Sequence, residues 1–230
     1  MDATALGVGL SLATLTAVLG MLSARGIARS VRERSRIQLM WGLGLALAAI
    51  ATAVELVVYA GVVTGALLQT YVFLSAAIVG VLSLGSTRVI RSSLFRTSYT
   101  LYVSGMCAVV GVFSFTTPLS GSSMVSAGVI SGNPPATLIV LSSLVTVPAT
   151  FVLLGAVVLA LRRSWRWQTF LMGVGACVLA GGGALYIASF PVALYYSEFI
   201  GIVLIFFGLV SLPHVTASSA SLPRSLGKGS

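Results

Sequence analysis

Long apolar stretches alternate along the chain with short segments that are either basic or rich in Ser and Gly. Crossing a hydrocarbon core takes about 20 apolar residues, and runs of that order occur at roughly 5–24, 37–60, 66–86, 98–117, 136–161, 167–188 and 192–212. The pattern predicts an all-α integral membrane protein with seven transmembrane helices. The last two runs form one apolar block. Gly181, Gly182 and Gly183, then Ser189 and Pro191, divide it where one helix can break and another start. Residues 1–216 are expected to form a single bundle. Residues 217–230, rich in Ser, Gly and Pro, are expected to be a disordered cytoplasmic tail.

Composition agrees with lipid as the main solvent. Of the 230 residues 57% are hydrophobic and 7% charged, and the mean hydropathy is +1.08, outside the range of soluble domains. The expected location is the cell membrane, as a multi-pass protein.

Charge sets the orientation. Arg25, Arg29, Arg32, Arg34 and Arg36 lie between the first two runs, Arg88, Arg91 and Arg96 between the third and fourth, and Arg162, Arg163 and Arg166 between the fifth and sixth. Arg224 and Lys228 follow the seventh. The alternate connections, near 61–65, 118–135 and 189–191, carry no charge. The positive-inside rule then predicts an external N-terminus and a cytoplasmic C-terminus, which requires an odd number of spans. The net charge of +9 thus reads as topology and as attraction to anionic headgroups, with no nucleic-acid partner expected. The acidic Met1-Asp2 start is the reverse of a secretory leader, so the first run is expected to remain a membrane helix.

Spans one to three and five to seven are faintly alike. Leu19-Gly20 matches Leu154-Gly155, and Arg36-Ile37-Gln38 matches Arg166-Trp167-Gln168, each followed by paired glycines (Gly42 and Gly44; Gly173 and Gly175). Two parallel three-helix units joined by span four would produce this, as would the ordinary frequency of Arg, Trp and Gln at cytoplasmic helix starts.

Seven spans, an external N-terminus and a three-plus-one-plus-three layout resemble the broad grouping of opsins, seven-helix receptors and seven-helix sugar transporters. The resemblance is architectural. Span seven has no lysine for a retinal Schiff base, span three ends Gly85-Ser86-Thr87-Arg88 without an acidic-Arg-aromatic triplet, and Asn-Pro-x-x-Tyr and Pro-Gln are missing. It implies a shape and a central pocket, and no ligand. Covalent retinal is not expected, and neither is haem, because the single histidine, His214, cannot supply paired axial ligands.

Two of the four acidic residues fall inside spans: Glu55 in span two and Glu198 in span seven. An ionisable group there costs about 2.5–3.5 kcal/mol on insertion scales and usually faces an interior or a cavity. Both lie roughly 9–11 Å below the outer surface at 1.5 Å per residue. Gln69 and Tyr71 in span three, Tyr186 in span six, and Tyr195 and Tyr196 in span seven share that outer third. If the helices converge, Glu55, Glu198, Gln69, Tyr71, Tyr186 and Tyr195 line an outward-facing polar pocket, where two carboxyl groups without a base would share a proton or bind a cation. The structural alternatives are a tyrosine belt at the interface for Tyr59, Tyr195 and Tyr196, and glutamates that brace neighbouring helices.

Cys107 and Cys177 show no CxxC spacing and read as small buried hydrophobes. Pro148 in span five is a place where a helix can kink or expose backbone. The uncharged segment 118–137 is a flexible linker by default. Met124 to Asn133 could instead fold as a hairpin over the bundle mouth, with Gly128 or Gly132-Asn133 at the turn.

Enzymatic chemistry is poorly provisioned, with no Gly-x-Ser-x-Gly elbow, phosphate loop or HExxH helix in the sequence. The expected function is binding or transport of a small solute or cation. The alternative is a non-catalytic membrane-complex subunit or a lipid, quinone or carotenoid binder. Expected partners are membrane lipids, the solute or cation, and either a membrane complex or a second copy of the chain.

Overall fold

The computed structural model describes residues 3–34, 36–87, 90, 92–126, 128–130 and 134–163, together with helical positions at 167, 170–171, 173–175, 177–178, 200–201 and 203–204. Five long helices dominate: α1 (Ala3–Glu33), α2 (Arg36–Tyr59), α3 (Gly65–Ser86), α4 (Ser93–Thr116) and α6 (Ala136–Arg163). The single-turn α5 (Gly121–Met124) and a small hairpin, β1 (Val125–Ser126) and β2 (Val129–Ile130), complete the order. Each long helix contains a segment long and apolar enough to cross a membrane: Gly7–Arg32, Gln38–Tyr59, Gly65–Ser86, Ser93–Thr116 and Ala136–Leu159. These are the first five predicted spans. The predicted spans six and seven and the tail at 217–230 lie largely outside the described residues.

Helix ends follow local chemistry. Thr64 caps α3 by accepting from Leu67 N, and Ser92 caps α4 by accepting from Phe95 N. The Ser92 cap starts α4 five residues ahead of the apolar run. α1 is the longest helix, 31 residues or about 46 Å. Its arginines favour a helix as much as leucine does, so it continues past the apolar run until Arg34 turns the chain at φ 50.

α1 and α2 pack antiparallel along a seam of period three-four. On α1 it includes Gly9, Thr16, Leu19, Ser23 and Gly26; on α2 it includes Gly42, Leu45, Thr52 and Tyr59. That spacing gives shallow left-handed crossings. Small residues set the distance of approach: a Cβ at Gly26 would stand 3.3 Å from Gly42 Cα. Polar side chains then tie the two backbones, with Ser23 Oγ donating to the Gly42 carbonyl at 2.9 Å and Thr16 Oγ1 standing 3.0 Å from Thr52 Oγ1.

α3 is the hub, packed on α2, α4 and α6, with α4 and α6 also in contact. Its seam with α2 is set by Leu82 filling the face of Gly44 and by Trp41 lying over Gly85. On the other side Ser83 Oγ and Tyr99 Oη are hydrogen-bonded at 2.8 Å, both buried. Cys107 packs as a small hydrophobe beside Ala76, Val110 and Val145; it is a free thiol, as is Cys177.

Pro148 sits inside α6, and the helix runs through it unbroken. Proline has no N–H to give the carbonyl four residues earlier, here that of Leu144. Tyr102 Oη of α4 donates to that carbonyl at 2.6 Å. A backbone group orphaned by proline is thereby satisfied from the neighbouring helix.

Candidate functional site

The segment after α4 folds back over the helix ends opposite the elbow between α1 and α2. Leu119, Met124 and Ile130 pack on Val58 of α2, Leu68 and Val72 of α3 and Leu138 of α6 in one buried cluster. β1 pairs antiparallel with β2, Val125 opposite Ile130, and Gly128 takes the turn at φ 78, a conformation open to glycine. The hairpin is thus realised where a flexible linker was the default expectation. Four apolar side chains (Leu119, Met124, Val125 and Ile130) explain it, because together they bury a face that a linker would leave in water.

Glu55 lies under this cap and is only 5% exposed. It stands four residues, about 6 Å, before the end of α2 at Tyr59. With 3.6 residues per turn, it falls between the face of α2 that meets α1 (Gly42, Thr52, Tyr59) and the face that meets α3 (Gly44, Val58). Towards the membrane centre, Thr52 Oγ1 reaches the carbonyls of Ala48 and Ala49 at 3.1 Å. Towards the end of α2, Tyr59 stands between α1 and the hairpin: Cβ atoms built at Gly9 and Gly128 would lie 3.2 and 3.6 Å from its ring. A surface belt was one expectation for Tyr59. Its observed position is a packing contact beneath the hairpin turn.

Of the residues predicted to share a site, Glu55 and Tyr71 stand at one level by helix register, and Gln69 is turned towards α4. The Gly44–Leu82 and Trp41–Gly85 contacts define an antiparallel register. Carried eleven residues along α2 from Gly44, it puts Glu55 level with Tyr71, on the α2-facing side of α3. Glu55, Tyr59 and Tyr71 are each engaged by a neighbour. Gln69, two residues before Tyr71 and so about 200° away round the helix, faces α4. Its Nε2 donates to the Thr117 carbonyl at 2.8 Å and reaches that of Phe115 at 3.5 Å, satisfying carbonyls that every helix C-terminus leaves over. Glu198, Tyr186 and Tyr195 lie outside the described residues.

Sequence reasoning missed Thr16, Thr52 and the partnership of Tyr102 with Pro148. The three-four spacing of small and hydroxyl residues on α1 was the available signal for the first two. Among the described residues the buried hydroxyl of Ser114 has no hydrogen-bond partner. Among the described residues no cluster of His, Cys, Asp and Glu could hold a metal ion.

No protein-family model matches the chain, and no curated protein and no solved structure matches it either.

Proposed function

We propose that this multi-pass membrane protein binds or transports a small solute or cation at a site centred on Glu55, with Tyr71 beside it. One observation carries the proposal: a carboxyl-bearing side chain held almost fully buried in an apolar helix, where an ionisable group is costly enough to be retained mainly for work. Access is from the outer end, past the cap formed by Leu119, Met124 and Ile130, so occupancy is coupled to displacement of that cap. Glu198 joins the site from span seven if its depth, matched to that of Glu55 in the sequence, brings it to the same level. The N-terminus is external and the arginine-rich connections are cytoplasmic.

An apolar carbodiimide tests the proposal, since it reacts with protonated carboxyl groups inside membranes. Mass spectrometry of the reconstituted protein should find Glu55 labelled, with labelling slowed as pH rises and by added Na⁺ or K⁺. Vesicles loaded with a pH dye should show proton or Na⁺ entry that Glu55→Gln abolishes while the chain still folds. Labelling indifferent to both cations and to pH, with no flux dependent on Glu55, would remove the proposal.

A further inference from the structure

We propose that the elbow between α1 and α2 binds the headgroup of an anionic phospholipid. The site lies at the opposite end of α2 from Glu55 and is independent of any chemistry there. The turn encloses a shallow cavity of about 230 Å³ lined by Ser30, Val31, Arg34, Arg36 and Leu39.

Its level in the membrane comes first. The apolar span of α2 begins at Gln38, two residues or about 3 Å after Arg36, which puts the elbow at the layer that headgroups occupy. Residues 25–36 contain five arginines and one glutamate, a net charge of +4. Arg25, Arg29 and Arg32 follow one another on a single face of α1 at four- and three-residue steps, so the approach to the cavity is basic on that side as well. Anions concentrate in such a field.

The cavity wall selects the kind of anion. Two guanidinium groups offer paired, planar donors suited to phosphate oxygens. The Ser30 hydroxyl is committed to the Ile27 carbonyl at 2.7 Å, so recognition rests on the arginines. Val31 is 74% exposed and with Leu39 makes an apolar wall beside them. A free phosphate gains nothing from that wall, whereas a phospholipid lays its glycerol and upper acyl chain against it. Arg34 in the left-handed region holds the elbow tight, which keeps the two arginines on one short arc.

The test is retention of phosphatidylglycerol by the full chain in detergent, followed by native mass spectrometry. The Arg34→Gln/Arg36→Gln chain should retain it about 20–30-fold more weakly, the combined worth of two basic groups at an anionic site. Arg96→Gln/Arg162→Gln, with the same loss of charge on other helices, should retain it nearly as the parent does. If the first double variant does not fold, Arg36→Gln against Arg162→Gln makes the same comparison. Equal loss in both variants would show a diffuse field and overturn the site, as would equal retention of phosphatidylcholine. Displacement of the lipid by inorganic phosphate would also overturn it, by making free phosphate the ligand.

Discussion

Tyr102→Phe removes one hydroxyl and keeps the ring, so the tilted contact with Tyr99 at 6.5 Å between centroids persists while the bond to Leu144 is lost. The Leu144 carbonyl has no N–H to receive from Pro148, and the Tyr102 hydroxyl at 2.6 Å replaces it. Tyr102 and Leu144 are 39% and 47% exposed, which in a spanning helix means exposed to hydrocarbon, where water cannot take over. A typical interhelical hydrogen bond in a membrane contributes about 0.6 kcal/mol and at most about 1.7; an orphaned carbonyl adds a penalty of about 1–3 kcal/mol. The expected cost is therefore about 1.5–3.5 kcal/mol, at or above the upper end for membrane bonds. Equilibrium unfolding in mixed micelles measures it, and a double-mutant cycle isolates the cause. Pro148→Ala restores a backbone N–H to Leu144, so in that background Tyr102→Phe should cost less than about 0.5 kcal/mol. Equal costs in the two backgrounds would refute the account of Tyr102 as a substitute for the missing proline N–H.

Gly42→Ala should destabilise the bundle by about 1–3 kcal/mol, because the added Cβ would meet Ile27 N at 3.0 Å and Gly26 backbone at 3.3 Å. Gly20→Ala on α1, with nothing within 4 Å, should be neutral or mildly stabilising, and the same unfolding assay compares them. Arg34→Gly should raise stability by about 0.5–1 kcal/mol by relieving a positive φ while weakening phosphatidylglycerol retention; a fall in both would show that the turn needs the side chain. For topology, single cysteines at Ser122 and Ser225, in a chain lacking Cys107 and Cys177, should be labelled from opposite faces of sealed vesicles. Labelling of both from one side would sink the predicted orientation.

The sequence by itself determined the membrane class and five helices, with α2, α3 and α6 close to their observed bounds and α1 and α4 longer than their apolar runs, because burial in lipid demands uninterrupted apolar length and that length is written locally. It also singled out Glu55, since one carboxyl group in an apolar run is conspicuous whatever surrounds it. What faces what was decided only by the tertiary structure. Gln69 and Tyr71 are two residues apart and looked equivalent by depth, yet the turn of α3 sends one to α4 and the other towards the level of Glu55. Pro148 read as a place where the helix could kink or expose backbone; the helix runs through it, and its missing donor is replaced across a helix interface by Tyr102, 46 residues earlier in the chain. The cap behaves alike: Leu119, Met124 and Ile130 are too sparse to announce a fold locally, and they become ordered because Val58, Leu68 and Leu138, distant in sequence, present a shared apolar surface. Depth in a membrane is a one-dimensional property that sequence records directly. Azimuth around each helix and register between helices arise from packing, and packing depends on residues that the chain brings together only when it folds.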